Sequence, residues 1–218
     1  MLTIHRADVL LPGRGDEPVP GGAVLVDGRA LAALGPYEEL AAAHPAARVR
    51  RWPGVLTPGL CNPYGPELLE AAYHPDPREA AELGTEPLTG EALAALEMTD
   101  ARWGASARRG TKRMLAHGTV AVAGDLWRDA VRDAVARAGL SSEERFTDPP
   151  GPPSFDPFAG RPAEEAFLLP LRSGAGADAD FAVFAIPADG DPYAALAEHG
   201  AGSCVATVLG GRLVHRRA

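Results

Sequence analysis

Six histidines, two cysteines and scattered carboxylates are the side chains here that could hold a metal or move a proton. The histidines are His5, His44, His74, His117, His199 and His215. No two stand at i, i+2 on a strand or i, i+4 on a helix, the spacings that aim two imidazoles at one ion. Each therefore reads as a surface or structural residue, and His44 and His74 both precede a proline in loop-like stretches. A nucleophilic Cys61 would need a basic partner to lower its pKa, and the sequence places none beside it. Cys204 reads as a core strand residue. Asp125 follows an apolar run and is the one carboxylate in a strand-end position; its simpler reading is an N-cap for a helix beginning at Leu126. Ser203 lacks a nucleophile-elbow context. The glycine runs form neither a phosphate loop nor a dinucleotide fingerprint. Arg108, Arg109, Lys112 and Arg113 make a basic helix face, most simply a solvated one.

The elements that must position these groups are partly visible. Leu2 to Leu11 alternates loosely as an edge strand. Gly22 to Gly35 reads as a hairpin turning on Asp27-Gly28. Pro36 starts a short helix running to about Ala43, and Arg48 to Trp52 returns as a strand. Trp52-Pro53-Gly54-Val55-Leu56-Thr57-Pro58-Gly59-Leu60-Cys61-Asn62-Pro63-Tyr64-Gly65-Pro66 is a buried strand breaking into a loop, and strand-end loops are where α/β proteins put their chemistry. Glu67 to Tyr73 continues as a short helix. His74 to Gly90 reads as a Pro-rich acidic loop. Glu91 to His117 has helical spacing, with Thr89 as its cap. Gly118 to Asp125 is a strand, and Leu126 to Leu140 an amphipathic helix closed by Gly139. Ser141 to Pro170 shows no strand. Ala177 to Phe184 is a strand, and Cys204 to His215 a hairpin around Gly210-Gly211.

Length and charge exclude some classes of function. A chain of 218 residues, 46% hydrophobic, can build a core. A net charge of -8 argues against nucleic acid and anionic membrane as partners. Met1 to Arg6 reads as a strand start rather than a leader, so a cytoplasmic protein with reduced thiols is expected. Abundant Ala, Arg, Gly and Pro with a single lysine suggest a GC-rich bacterial genome.

Val-Leu-Thr-Pro-Gly-Leu-Cys-Asn resembles the first barrel strand of the amidohydrolase superfamily. In its imidazolonepropionase and aminodeoxyfutalosine deaminase branch that strand runs Pro-Gly-Leu-Val-Asn-Ala-His-x-His. Aligned on Pro58-Gly59-Leu60 and Asn62, the family's two metal-binding histidines fall on Tyr64 and Pro66. Proline offers no donor atom, and tyrosine keeps its proton until about pH 10. The resemblance thus implies a family that uses a divalent metal, together with the loss of its metal motif; no metal ligands and no cofactor are expected. Gly118 to Asp125 resembles the Gly-Thr-Thr-x-Val-x-Asp strand of the family, with His117 just before its Gly-Thr turn. Ala179 to Phe184 resembles the family's returning strand, and Cys204 to His215 its closing Val-x-Val-x-Gly-x-x-Val segment.

The implied fold is α/β. Residues 1–57 and 171–218 would form a small composite β-sandwich, and 58–170 a truncated, open remnant of the (β/α) barrel. Six further βα units, on the order of 200 residues, would be needed to close a barrel. Two copies could bury the remnant's exposed strands as a homodimer. The implied function is a degenerate amidohydrolase-like binding or assembly module without metal-dependent hydrolysis. The alternative is a residual hydrolase or deaminase acting on non-peptide C–N bonds of a cyclic or purine-like substrate, for which Tyr64, His117 and Asp125 would have to converge. A small-molecule site would draw on Asn62, Tyr64, Trp103 and Trp127.

Overall fold

Val55–Pro58 and Leu60–Asn62 lie on one nearly continuous extended run, yet they belong to different sheets. The computed structural model describes residues 1–174 and 176–217; Ala175 and Ala218, inside the expected 171–218 segment, lie outside the described residues. In chain order the strands are β1 (Leu2–Arg6), β2 (Val9–Leu10), β3 (Val19–Pro20), β4 (Gly22–Asp27), β5 (Ala30–Pro36), β6 (Arg48–Arg51), β7 (Val55–Pro58), β8 (Leu60–Asn62), β9 (Thr119–Ala123), β10 (Ser141–Glu143), β11 (Phe181–Phe184), β12 (Cys204–Leu209) and β13 (Arg212–Arg216). The helices are α1 (Tyr37–Ala43), α2 (Gly65–Leu69), α3 (Ala80–Leu83), α4 (Gly90–Ala94), α5 (Asp100–Leu115), α6 (Asp129–Ala138) and α7 (Pro192–His199).

One sheet has the order β5-β4-β1-β6 and a second β13-β12-β11-β7-β2-β3. The second draws its strands from both the N-terminal and C-terminal thirds of the chain. Val24, Val26 and Leu31 of the first sheet pack with Leu10, Leu56, Phe181, Val183 and Val208 of the second in one buried cluster. The third sheet, β10-β9-β8, is parallel and has three strands. Every residue of β9 is buried, as a parallel strand covered on both faces requires. Val122 packs under α5 and α6 with Trp103, Ala107, Val131 and Val135. Leu60 packs on the other side with Phe158, Ala163 and Ala166. No sheet among the described residues closes into a barrel.

Gly59 is where the chain passes between layers. Its N–H donates to the Asp180 carbonyl (3.0 Å) and its carbonyl accepts from Leu168 N–H (2.9 Å). A Cβ here would lie 2.3 Å from Val120 Cγ2, so only glycine lets β8 approach β9 this closely.

Several elements differ from the sequence reading. Leu2–Leu11 is two strands, and β1 is interior, between β4 and β6. The chain bends at Asp8, whose side chain accepts from Gly54 N–H at 2.6 Å. In the first hairpin Asp27 pairs with Ala30, so the turn is centred on Gly28-Arg29, with Gly28 at φ 60°; this is the glycine-first hairpin turn, one residue later than expected. The first helix starts at Tyr37, with Pro36 before it. The helix expected over Glu67–Tyr73 is α2, ending at Leu69, while Tyr73 bridges to Leu88. His74–Gly90 is not all loop: a capping box between Asp76 and Glu79 starts a 3-10 turn that runs into α3. Glu91–His117 divides into α4 and α5, because Thr99 accepts from Arg102 N–H (3.2 Å) and restarts the helix. The next helix spans Asp129–Ala138, shorter than Leu126–Leu140, and Gly139 closes it in the left-handed conformation as expected. Ser141–Glu143 is a short exposed strand that sequence reading passed over, as is α7, capped by Asp191 ahead of Pro192.

Candidate functional site

β8 delivers its last residue, Asn62, to the carboxyl end of the parallel sheet, fully buried. Both ends of the amide are used. Oδ1 accepts from Tyr64 N–H (2.9 Å), closing a turn of the kind asparagine favours. Nδ2 donates to the Ser154 carbonyl (2.9 Å). That turn sets Tyr64, 4% exposed, at the head of α2. The Tyr64 hydroxyl donates to the Pro150 carbonyl. Pro66 sits in the first turn of α2 and packs on Gly124, where a Cβ would meet its Cδ at 2.7 Å. The strand-end loop is therefore closed over by residues 150–154, a strap supplied by the Pro-rich segment.

These residues do not fit the divalent metal that the resemblance implies. Pro66 has no donor atom. The Tyr64 hydroxyl donates its proton to a backbone carbonyl, and a metal would need the phenolate. The Asn62 amide is engaged at both ends. Among the described residues no three His, Cys, Asp or Glu side chains stand together as an ion-binding group.

The other sequence candidates are spread out. His117 follows α5, its Nδ1 2.8 Å from the Arg113 carbonyl and its ring stacked on Phe155. Asp125 lies beyond the far end of β9 and is exposed. The five residues of β9 alone span about 13 Å, so His117 and Asp125 do not meet across that sheet. Trp103 is buried with Tyr64 in the core under α5 and α6, and the Arg128 guanidinium lies over its ring at 4.4 Å. Trp127 is 75% exposed. Asn62 and Tyr64 thus come together, Trp103 backs them from inside, and Trp127, Asp125 and His117 stand apart.

Asp125 is not the cap of α6. Glu70, 6% exposed, reaches across from the end of α2 and accepts from Trp127 N–H (3.1 Å) and Arg128 N–H (2.7 Å). These are the N–H groups of the N-cap residue and the residue before it, so Glu70 fixes the turn that leads into α6 and sets a negative charge at the positive end of its dipole. Sequence reading missed Glu70 because its partners lie 57 and 58 residues away.

Arginines tie the strap down. Arg145 donates to the Pro63 carbonyl (3.0 Å) and pairs with Glu67 (2.8 Å). Arg161 donates to the Cys61 carbonyl (2.9 Å). Burial pushes the Cys61 thiol up to about 11 despite Arg161, and burial likewise holds Cys204 at about 11. Both cysteines are free, and both are protonated near neutrality. The basic face of α5 is less solvated than expected: Arg109 donates to the His74 carbonyl (2.8 Å) and Arg113 pairs with Glu86 (3.3 Å) while lying over Phe155. His74, 2% exposed, sits beside Phe155, its Nε2 2.7 Å from the Leu68 carbonyl; burial is the main cause holding its pKa below the usual range. Beyond the strap lies a cavity of about 750 Å³ between α2, the 86–90 turn and Phe155, with Leu68, Ala72, Thr89 and Ser154 on its walls.

Residues 22–47, which comprise β4, β5, α1 and the approach to β6, match the family model of the imidazolonepropionase-like composite domain of bacteria. No curated protein matches the chain. Among solved structures it is similar to the ochratoxinase of A. niger (21% identity, TM-score 0.46, covering 66% of this chain and 31% of that one). It is also similar to an adenosine deaminase from Xanthomonas campestris with bound zinc (16%, 0.44, 64% and 32%). A third likeness is the guanine deaminase of Bradyrhizobium japonicum (17%, 0.43, 67% and 35%). The chain spans about a third of the length of these structures.

Proposed function

We propose that this chain is a degenerate amidohydrolase-like module that binds or assembles and does not perform metal-dependent hydrolysis. One observation carries the reading. Where the resemblance puts two metal-binding histidines, the chain has a tyrosine committed to the Pro150 carbonyl and a proline. The loop that would receive substrate is instead closed over by residues 150–154 of the same chain. On this reading the two sheets that share the Leu56–Phe181 core are the composite sandwich, 1–57 with 171–218, and 58–170 is the open barrel remnant. The family match over residues 22–47 supports the sandwich half. Two free thiols suit a reducing, cytoplasmic compartment, and among the described residues no helix is long and apolar enough to cross a membrane.

A small-molecule ligand would use the cavity of about 750 Å³ behind the strap rather than a ring of Asn62, Tyr64, Trp103 and Trp127. A homodimer would use the outer edge of β10, since the outer side of β8 is taken by the Leu60–Phe167 bridge.

The test is the metal content of the purified full chain after incubation with zinc, nickel, iron and manganese, read by inductively coupled plasma mass spectrometry. Sub-stoichiometric metal is expected. One tightly held divalent ion per chain, released by Tyr64→Phe, would overturn the reading. A thermal-shift panel of purine nucleosides and imidazolones addresses the cavity: stabilisation that Phe155→Ala removes is expected, and no stabilisation by any member would reject a small-molecule role there.

A further inference from the structure

Charge is unevenly spread over this molecule. The chain carries 29 acidic against 21 basic residues, and eight arginines pair with a carboxylate. Twelve further arginines have no such partner among the described residues, and five of them are Arg6, Arg48, Arg50, Arg51 and Arg216. These five gather at one border. Arg48, Arg50 and Arg51 form most of β6, the outer strand of its sheet, with Arg48 and Arg51 exposed. Arg6 registers with Arg51 from the neighbouring β1. Arg216, from the outer strand of the other sheet, lies over the ring of Trp52, which directly follows β6, at 5.9 Å.

A charged edge strand is a common defence against self-pairing. That defence most often uses lysine, a flexible and strongly hydrated cation, whereas every charge on β6 is an arginine. Here the sign is opposite to that of the chain, and two of the guanidiniums are held in place on aromatic rings, Arg6 over Tyr37 (4.4 Å) and Arg216 over Trp52. Trp52 is itself fixed, its indole N–H donating to His5 Nδ1 at 3.1 Å. β6 pairs only with β1, so one flank of its backbone is open among the described residues. An open backbone flank selects an extended polypeptide, and the arginines select its charge.

We propose that β6 is a docking strand for an extended acidic peptide. The peptide adds beside β6 through main-chain hydrogen bonds. Alternation places Arg48 and Arg50 on one face of β6 and Arg51 on the other, so carboxylates at alternate positions of the peptide meet Arg48 and Arg50. Arg51, Arg6 and Arg216 receive acidic residues on the opposite face and at the Trp52 end.

The test is fluorescence anisotropy of a labelled oligoglutamate peptide, which presents carboxylates on both faces of an extended strand, titrated with the full chain at low salt. Saturable binding that weakens steeply with added salt is expected. Each exposed ion pair is worth about threefold in affinity, so Arg48→Glu/Arg51→Glu should weaken binding about tenfold or more, and Arg14→Glu, away from this edge, should leave it unchanged. Should the double reversal fail to fold by circular dichroism, Arg48→Gln/Arg51→Gln is the working variant. No saturable binding would overturn the proposal. So would equal affinity for a peptide N-methylated along the edge-facing side, which would leave charge alone as the cause. Tighter binding of inorganic polyphosphate or oligothymidylate would assign the patch to phosphate instead. Self-association of the chain that the double variant abolishes would assign it to a second copy.

Discussion

Gly59→Ala should destabilise the protein by about 2–3 kcal/mol, the upper part of the range for overpacking a filled core. The added methyl would lie 2.3 Å and 2.7 Å from Val120 Cγ2 and Cγ1 and 3.0 Å from its Cβ. Apolar carbons rest about 3.5–4.0 Å apart, so two methyls must move by roughly an ångström. Neither side can yield easily. Val120 is 1% exposed, is held in the middle strand of its sheet, and has a β-branched side chain with few rotamers. Gly59 is pinned by hydrogen bonds to Asp180 and Leu168. The assay is urea denaturation followed by circular dichroism, on Gly59→Ala, Val120→Ala and the double variant. Removing both Val120 methyls takes away the two shortest contacts and leaves the one at 3.0 Å, so Gly59→Ala should cost less than about 1 kcal/mol in that background, a coupling of about 1–2 kcal/mol. Equal costs in the two backgrounds, within about 0.5 kcal/mol, would refute steric exclusion at the sheet crossing as the reason for glycine.

Glu70→Gln weakens the anchor of the turn leading into α6 and should cost about 1 kcal/mol; hydrogen exchange at Trp127 and Arg128 should quicken first, and unchanged exchange there would deny Glu70 that anchoring role. Tyr64→Phe leaves the Pro150 carbonyl without its donor and should cost about 1 kcal/mol, with protease cleavage of 145–155 rising more than global unfolding; a strap as resistant as the parent's would contradict its anchoring by Tyr64. His5 is lowered from 6.5 to about 4 by burial and then by Arg50. The unfolded chain therefore takes up that proton first as pH falls, so stability drops from about pH 6.5 and levels off below about pH 4, a loss of about 3 kcal/mol. His5→Gln should flatten the stability profile in that window, and parallel profiles would remove His5 as the cause. Cys61 and Cys204 should resist iodoacetamide at pH 7.5 in the folded protein and react in urea, scored by mass spectrometry; rapid labelling of the half-buried Cys61 in the fold would contradict its raised thiol pKa.

What sequence reading captured is what local pattern encodes. Gly118 to Asp125 reads as a strand because Val120 to Ala123 is apolar throughout, and α6 reads as a helix because Val131, Ala134 and Val135 share a face that Gly139 closes. The Gly210-Gly211 hairpin lies where expected. The break before α5 was hidden because Leu93 and Leu96 continue the helical period across it, and only Thr99-Asp100 marks the new start. The strap was illegible for a different reason. Its contacts with Asn62 and Tyr64 are made by backbone carbonyls at Ser154 and Pro150, and since every residue carries a carbonyl, no residue type announces it. Glu70 and Arg161 act across the fold at long separation, where spacing rules say nothing.

The run from Val55 to Asn62 has a consequence for how the molecule comes apart. Four of its residues are threaded into the six-stranded layer and the next few into the parallel one, with Gly59 as the stitch. Loosening either layer pulls directly on the other through a single stretch of main chain. Such a seam offers no place to cut the polypeptide into separately stable halves, and calorimetry should record one melting peak where the division into a sandwich and a remnant would suggest two.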